Sequence, residues 1–196
     1  MHTLPQDFYS PEEYLARERK AEYRSEYVNG RIVTRPGANR WHNLITGNVS
    51  AEMRSQCKGR LCEVYIVAMR VKVRATGMYA YPDVAAVCGG SSFEDEHVDT
   101  LTNPAVIIEV LSPSTEAYDR GEKFAHYRRL ASLQEYVLVA QDKVRIEHFA
   151  RRNDDSGQWV LTEFSDPNGT LRLASIGCDL ALRGIYDRVE FPDAQA

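Results

Sequence analysis

The sequence predicts a mixed α/β (α+β) fold, in which a mostly antiparallel sheet is flanked by helices. One observation is a long helical periodicity, and another is a series of short β-branched runs bounded by turn residues. The elements follow in the order helix, hairpin, helix, several strands, helix, several strands. With 196 residues, 43% hydrophobic and 27% charged, the chain can bury a sizeable core. We expect a single domain over residues 1–196.

The N-terminal part is predicted to contain two helices separated by a hairpin. Ser10-Pro11-Glu12-Glu13 is a capping box with proline in the first turn, and its helix should end near Lys20. Asn29-Gly30 between two short strand-like runs predicts a β-hairpin. The second helix should cover residues 38–58, because apolar residues recur there every fourth position: Trp41, Ile45, Val49 and Met53.

Strands dominate the rest of the chain. Alternating or continuous apolar runs predict them at residues 61–67, 69–74, 81–88, 104–111, 134–140, 144–149, 159–164 and 171–173. The acidic stretch 89–103 should be a loop, and a charged helix should cover residues 115–130. Residues 180–189 fit either a short strand or a short helix.

Composition narrows the class of protein. The net charge of −4 gives no global signature of nucleic-acid binding, so any such contact would need a local basic patch. The four cysteines form no CxxC pair, and we expect reduced thiols rather than a metal site: Cys57, Cys62, Cys88 and Cys178. The first residues show no signal peptide, and no run reaches membrane-spanning length. These features predict a cytoplasmic protein without membrane association.

Glu109 is the residue on which a functional interpretation depends. It interrupts the apolar run Val106-Ile107-Ile108 and Val110-Leu111, which is typical of a strand buried on both faces. Burying a lone carboxylate costs several kcal/mol. Glu109 should therefore be paired, bind a cation or be protonated.

Asp83 and Lys123 are the expected partners of Glu109. If the strand carrying Asp83 lies beside that of Glu109, both carboxylates can point to one side of the sheet and repel each other. A divalent cation would relieve this repulsion, and hard oxygen ligands suit Mg²⁺ or Mn²⁺. Asp119, Lys123 and Tyr127 form one helical stripe, which would direct Lys123 to the sheet. The alternative is a solvated surface pair between Asp119 and Lys123.

Several short motifs together resemble the Uma-two family of restriction-endonuclease-like proteins. The matching segments are Tyr81-Pro82-Asp83, then Ile-Ile-Glu-Val-Leu-Ser-Pro-Ser-Thr at 107–115, then Asp119, Lys123 and Tyr127, then Glu135-Tyr136. The resemblance runs from Glu26 through His42 to Val139. It implies a restriction-endonuclease-like core of the PD-(D/E)XK nuclease superfamily.

The resemblance also implies roles for individual residues. Asp83 and Glu109 would bind the metal, Mg²⁺ or Mn²⁺. The motif lysine normally lies two residues after the glutamate, where this chain has Leu111, so Lys123 would replace it from the helix. Glu26 and His42 match family positions near the site and are further catalytic candidates.

Some of these residues have a plainer interpretation. Glu26 could face water beside its hairpin turn, and His42 could be an ordinary helix-surface or core-edge histidine. The basic face of the strand at 69–74 could follow a phosphate backbone or simply be solvated: Arg70, Lys72 and Arg74. The acidic loop could suggest a metal site or be merely solvated: Asp95, His97 and Asp99.

The function expected from the resemblance is metal-dependent endonucleolytic hydrolysis of DNA phosphodiester bonds, with RNA left open. One alternative is a catalytically inactive nuclease-fold protein that binds or scaffolds. A metal hydrolase that acts on a small phosphate-bearing substrate is also compatible with the residues. A homodimer is expected, since two centres would suit cleavage of two strands.

Overall fold

Two β-sheets and a two-stranded ribbon account for most of the regular structure. The computed structural model describes residues 8–35, 37–154 and 156–191. The N-terminal residues 1–7, on which the absence of a signal peptide was judged, lie outside this part. Among the described residues, no helix is both long and apolar enough to cross a membrane.

The strands are β1 Ser25–Val28, β2 Arg31–Thr34, β3 Cys62–Ile66, β4 Arg70–Val73, β5 Met78–Ala80, β6 Val84–Cys88, β7 Thr100–Leu101, β8 Val106–Leu111, β9 Glu135–Ala140, β10 Ile146–Arg151, β11 Trp159–Phe164, β12 Thr170–Leu173 and β13 Cys178–Ala181. The helices are α1 Pro11–Glu18, α2 Arg40–Cys57, α3 Glu116–Tyr118, α4 Phe124–Tyr127 and α5 Leu182–Ile185, with a π-helical turn at Asp119–Lys123 between α3 and α4.

The larger sheet has the strand order β11-β10-β9-β8-β6-β3, and the smaller one β2-β1-β5-β4-β7. Strand β8 pairs in parallel with β9, and β4 with β7, whereas the other named pairs are antiparallel. The expected mixed, mostly antiparallel fold with flanking helices is therefore confirmed. The central strand β8 is buried along its whole length, as its apolar run predicted.

Two apolar cores pack on opposite faces of the larger sheet. Ile108 and Val110 of β8 belong to the core that includes α2, whereas Ile107 and Leu111 belong to the core that includes Tyr127 of α4. Glu109 has the parity of Ile107 and Leu111, because side chains alternate along a strand. It therefore lies on the face that the segment α3–π turn–α4 covers.

The N-terminal signals produce the expected elements. Ser10 and Glu13 form the reciprocal bonds of the capping box at the start of α1. Asn29 and Gly30 have φ angles of 51° and 81°, the left-handed conformation that a two-residue hairpin between β1 and β2 requires.

The strand predicted at residues 81–88 is wrong in its first part. Strand β5 ends at Ala80 in the smaller sheet, and β6 begins at Val84 in the larger one, so residues 81–83 connect the two sheets. Pro82 has no N–H group, which suits a connection better than a ladder. The neighbouring backbone groups are bonded outside a ladder, since the Tyr81 N–H donates to Glu26 and the Asp83 carbonyl accepts from Val67.

The expectation of four reduced cysteines is also wrong. Cys62 and Cys88 are cross-strand partners in β3 and β6 and form a disulfide. The sequence could not show this disulfide, because the two cysteines become neighbours only when β3 pairs with β6 in the folded sheet. Cys57 and Cys178 are buried free thiols with their Sγ atoms 3.8 Å apart.

The helix predicted at 115–130 has a π-helical turn in its middle and ends at Tyr127. Gly121, a weak helix former, lies within this turn. The Tyr136 hydroxyl of β9 donates to the Asp119 carbonyl at 2.9 Å and holds the turn against the sheet. Such π-helical insertions occur often at functional sites.

Candidate active site

Asp83 and Glu109 face each other across two neighbouring strands. Val84 pairs with Ile108 in the antiparallel register of β6 and β8, so the preceding residue Asp83 comes opposite Glu109. Directly opposed residues of an antiparallel pair point to the same side of the sheet. Their side chains are only 4% and 2% exposed. The two carboxylates therefore meet on one buried face.

Lys123 comes to this face from the π-helical turn. Its Nζ lies 2.9 Å from Oε1 of Glu109, 3.2 Å from Oε1 of Glu26 and 3.4 Å from Oδ1 of Asp119. The lysine is buried, so it is not half of a solvated surface pair. One ammonium group thus contacts three carboxylates, which come from β1, β8 and the π-helical turn.

Asp83 is held by three donors of its own. The Arg35 Nη2 atom lies 3.1 Å from Oδ1, and His42 Nε2 lies 3.0 Å from Oδ2. The Val110 N–H donates to the same Oδ2 at 2.8 Å. The N-terminal part of α2 and the end of β2 therefore converge on the carboxylate that the connection between the sheets presents.

Glu26 lies between Arg35, which contacts Asp83, and Lys123, which contacts Glu109. Its Oε1 accepts a bond from the Tyr81 N–H at 3.1 Å and lies 3.8 Å from Arg35 Nε. The same oxygen contacts Lys123. The side chain is buried, so the interpretation of Glu26 as a water-facing hairpin residue is wrong.

A cleft of about 760 Å³ opens onto these side chains. Its lining includes all five residues that the sequence singled out: Glu26, His42, Asp83, Glu109 and Lys123. Segments from β2, the N-terminal turns of α2, the carboxyl end of β8 and the π-helical turn form its walls. The cluster is thus buried in the protein yet adjoins a space of ligand size.

Burial and neighbouring charges shift the pKa values of Asp83 and Glu109 in opposite directions. Burial raises the pKa of Glu109 well above its ordinary value, and the charges of Asp119 and Asp83 add to this against the pull of Lys123 and Arg35. Burial also acts to raise the pKa of Asp83, but the His42 contact, Arg35 and the Val110 N–H outweigh it, and the pKa is lowered. Asp83 is therefore the firmly ionised member of the pair.

Lys123 is held in its charged form. Burial alone would lower its pKa, but Glu109, Glu26 and Asp119 raise it well above the ordinary lysine value. A proton so strongly retained makes Lys123 a fixed positive charge at neutral pH and a poor proton acceptor.

The donors of the cluster are the carboxylate oxygens that hard divalent cations prefer, but they are arranged around the protein's own basic side chains. Four carboxylates face two permanent cations: Glu26, Asp83, Glu109 and Asp119 against Arg35 and Lys123. Burial raises the pKa of both Glu109 and Asp119, so the two cations face fewer than four full negative charges. In the described residues, no group of three or more His, Cys, Asp or Glu side chains is arranged to hold a metal ion. The basic side chains instead contact the carboxylate oxygens.

Arg35 and Asp119 enlarge the cluster beyond the five predicted residues. Arg35 directly follows β2, and its only sequence signal was a position near the hairpin that carries Glu26. Asp119 was noticed as part of the helical stripe, and its contact with Lys123 has the i,i+4 spacing of that stripe. The contact of Arg35 with Asp83 follows from no such spacing rule.

The other polar groups considered from the sequence are not part of this cluster. Arg70 is 2% exposed and contacts Asp99 at 2.9 Å, while Lys72 pairs with Glu94. The face of β4 is therefore neither a free phosphate track nor wholly solvated, and only Arg74 is largely exposed. Asp95 and Asp99 contact Arg19, so the acidic loop is ion-paired rather than merely solvated.

The mixed sheet, with a carboxylate directly before β6, an opposed carboxylate on β8 and a lysine in contact with the latter, defines a restriction-endonuclease-like protein. A solved structure of a nuclease-like protein from Anabaena variabilis, described as a "putative nuclease belonging to DUF820", shares this fold with a TM-score of 0.75. The alignment covers 90% of this chain and 97% of that chain at 19% sequence identity. The chain belongs to the Uma2 family, described as "Putative restriction endonuclease", whose model matches residues 11–183.

Two relatives from Synechocystis sp. carry the similarity over most of their length. Protein sll1609, described as uncharacterized, is 36% identical over 162 residues, which cover 83% of this chain and 90% of the relative. Protein slr1290, described in the same way, is 35% identical over 182 residues, which cover 93% of each. The relatives therefore support the family assignment, but neither name states an activity.

Proposed function

We propose that this protein is a metal-dependent endonuclease that hydrolyses phosphodiester bonds of DNA. The observation that carries the proposal is the buried pair of Asp83, directly before β6, and Glu109 of the neighbouring strand β8, with Lys123 2.9 Å from Glu109. The descriptions of the family and of the structural neighbour as nucleases support the same reaction class. The 760 Å³ cleft provides access to the cluster.

Asp83 and Glu109 are the proposed ligands of Mg²⁺ or Mn²⁺. Carboxylate oxygens are the donors that these ions prefer, and a divalent cation beside Glu109 would favour the ionised form of that carboxylate. Such an ion would polarise the scissile phosphate and lower the pKa of a water molecule. The lowered pKa of Asp83 keeps one ligand ionised at all physiological pH values.

Lys123 is proposed to neutralise the negative charge that develops on the phosphate during hydrolysis. Preorganised charges in a water-poor site stabilise a transition state strongly, because they need no reorientation. Its raised pKa argues against a role as proton acceptor. Lys123 thereby replaces the lysine that the family motif would have at the position of Leu111, a buried core residue.

Glu26 and His42 are proposed as positioning residues. Glu26 contacts Lys123 and accepts from the Tyr81 backbone, so it fixes the ammonium group above Glu109. His42 contacts Asp83 Oδ2 and limits the orientations of that carboxylate. Their substitution should lower the rate without abolishing metal binding, whereas loss of Glu109 should remove both.

Nicking of supercoiled plasmid in Mg²⁺ or Mn²⁺ tests the proposed function. We expect nicked circles with the parent protein, none after chelation by EDTA, and at least a ~100-fold lower rate with Glu109→Gln. Glu116→Gln, on the exposed side of α3, is the matched control and should retain the parent rate. Equal nicking by parent and Glu109→Gln would assign the activity to a contaminant and overturn the proposal.

Companion assays of DNA binding and of small-phosphodiester hydrolysis discriminate between the alternatives. A protein that binds DNA without nicking it would be the inactive nuclease-fold scaffold, and one that hydrolyses only small phosphodiesters would be a small-substrate hydrolase. Parallel reactions with RNA decide between the two nucleic acids.

Because cleavage of both strands would need two centres, we propose a homodimer as the active form. Light scattering tests this proposal. The cytoplasmic location remains a prediction.

A further inference from the structure

Arg35 covers one of the two oxygens of the Asp83 carboxylate. Its Nη2 atom lies 3.1 Å from Oδ1. The other oxygen, Oδ2, accepts from the Val110 N–H at 2.8 Å and lies 3.0 Å from His42 Nε2. Both oxygens are therefore engaged by groups of the protein itself. Because the Val110 N–H belongs to the backbone of the central strand β8, access of a cation to Asp83 depends on Arg35 at Oδ1.

The charge of Arg35 acts on both proposed metal ligands. Burial acts to lower its pKa, but the charges of Asp83, Glu109 and Glu26 outweigh burial and raise the pKa. The guanidinium group is therefore a permanent positive charge that interacts with both opposed carboxylates. A divalent cation held by the same carboxylates would be repelled by this charge. Arg35 and a divalent cation thus compete for Asp83 and Glu109.

Arg35 is more accessible than Lys123, the other permanent cation of the cluster. The lysine side chain is 4% exposed and is enclosed by three carboxylates. The side chain of Arg35 is 21% exposed, and its second carboxylate, Glu26, is 3.8 Å away. Arg35 directly follows the edge strand β2 and lines the cleft. Its guanidinium group can therefore leave Asp83 into the cleft without crossing the apolar core.

We propose that Arg35 is an internal counter-ion of Asp83, and that a divalent cation displaces it when Asp83 becomes a metal ligand. This inference concerns the regulation of the proposed nuclease and rests on the metal site of that function. Only molecules in which Arg35 has left Asp83 offer Oδ1 to the ion, so the apparent metal affinity falls in proportion to the fraction of such molecules. A side chain outside the ligand set thereby determines how much metal the protein needs.

Isothermal titration calorimetry with Mn²⁺ tests the competition. We expect Arg35→Met, which keeps an unbranched side chain but loses the charge, to bind Mn²⁺ about tenfold more tightly than the parent. Arg31→Met, at an exposed position at the start of β2, is the matched control and should bind as the parent does. Weaker or unchanged binding by Arg35→Met would overturn the proposal, because a residue that only orients Asp83 would weaken the site when it is lost.

Chemical labelling of the parent protein tests the displacement itself and needs no variant that could fail to fold. Phenylglyoxal modifies accessible guanidinium groups, and mass spectrometry of the digested protein gives the labelled fraction of each arginine. We expect Mn²⁺ to raise the labelling rate of Arg35 several-fold, while that of Arg74, whose side chain is 67% exposed, stays constant. An Arg35 rate that saturating Mn²⁺ leaves unchanged or lowers would overturn the proposal.

Failure of the proposed function gives a different pattern from failure of the counter-ion. Tighter Mn²⁺ binding by Arg35→Met and faster labelling of Arg35 in Mn²⁺, without plasmid nicking by the parent, would support the counter-ion and contradict the nuclease. Nicking by the parent, together with equal Mn²⁺ affinity of parent and Arg35→Met, would support the nuclease and overturn the counter-ion. Absence of Mn²⁺ binding in both proteins would overturn the counter-ion and the metal site together.

Discussion

Lys123 Nζ lies 2.9 Å from Glu109 Oε1 although the two residues belong to different elements. The lysine comes from a π-helical turn above the sheet, and the glutamate from the central strand β8. The position two residues after Glu109 is Leu111, whose side chain joins the apolar core. The helix thus supplies the positive charge that β8 itself lacks.

Removing the lysine should destabilise the fold, because three buried carboxylates would lose their shared cation. We expect Lys123→Met to lower the free energy of unfolding by about 3–5 kcal/mol, as measured by urea denaturation. Lys143→Met, at an exposed position, should change it by less than about 0.5 kcal/mol. A loss as small as that of the control would show that Lys123 does not compensate the cluster.

Neutralising Glu109 should have the opposite effect on stability. Its raised pKa means that the ionised form is disfavoured in the folded protein, so stability falls as pH rises above the ordinary glutamate pKa. Glu109→Gln removes this loss while keeping the shape, and we expect it to melt at or above the parent temperature at pH 8. The prediction would be contradicted if Glu109→Gln melted below the parent at pH 8, or if its melting temperature fell more between pH 5 and pH 8 than that of the parent.

Metal binding should be visible without any catalytic assay. We expect Mg²⁺ or Mn²⁺ to raise the melting temperature of the parent, because a ligand that binds the folded state stabilises it. Asp83→Asn should abolish the shift, since it removes a negatively charged ligand. Asp142→Asn, at an exposed position, should retain it. Absence of a shift in the parent would count against the metal site.

The ion pairs around Arg70 predict a pH dependence away from the cleft. Burial tends to raise the pKa of Asp99, but contacts with Arg19, Thr100 and Arg70 lower it overall. Its stabilising contribution is therefore fully present above the ordinary aspartate pKa of about 3.8 and is lost as pH falls toward the lowered value. Because Asp99 is partly exposed, we expect Asp99→Asn to cost only about 1 kcal/mol at pH 7.

Urea titrations of parent and Asp99→Asn at pH 7 and pH 3 measure this contribution. The difference between the two proteins should shrink at the lower pH, because the Asp99 carboxylate of the unfolded parent binds a proton there while that of the folded parent stays ionised. A difference that grows toward pH 3 would have the wrong sign for a lowered pKa.

The disulfide between Cys62 and Cys88 should stabilise the edge of the larger sheet. The bond spans a sequence separation of 26 residues, for which loop-closure entropy predicts about 3.5 kcal/mol. We expect the Cys62→Ser and Cys88→Ser double variant to lose roughly this amount and to become insensitive to reductant. The parent should show the same loss when reductant is added. Unchanged stability of the double variant would contradict the link.

The sequence was most informative where one local rule determines one local structure. The capping box before α1, the Asn29-Gly30 turn and the apolar run of β8 all form as expected. The opposed positions of Asp83 and Glu109 followed from parity once the two strands were neighbours. These features depend on backbone preferences and side-chain alternation, which adjacent residues carry.

Features that depend on distant segments could not be predicted in the same way. The break between β5 and β6 arises because Glu26 and Val67 bind the backbone of residues 81–83. The role of Arg35 depends on where β2 ends relative to Asp83. Their partners lie far away along the chain, and periodicity contains no information about them.

The most direct test of the central claim is the plasmid-nicking rate of Lys123→Met in Mg²⁺ or Mn²⁺. The account predicts at least a ~100-fold lower rate than the parent, because the charge beside Glu109 is lost, with the protein still folded by circular dichroism. Lys143→Met should nick at the parent rate. A Lys123→Met protein that is folded and nicks as fast as the parent would contradict the claim that the lysine acts from the helix.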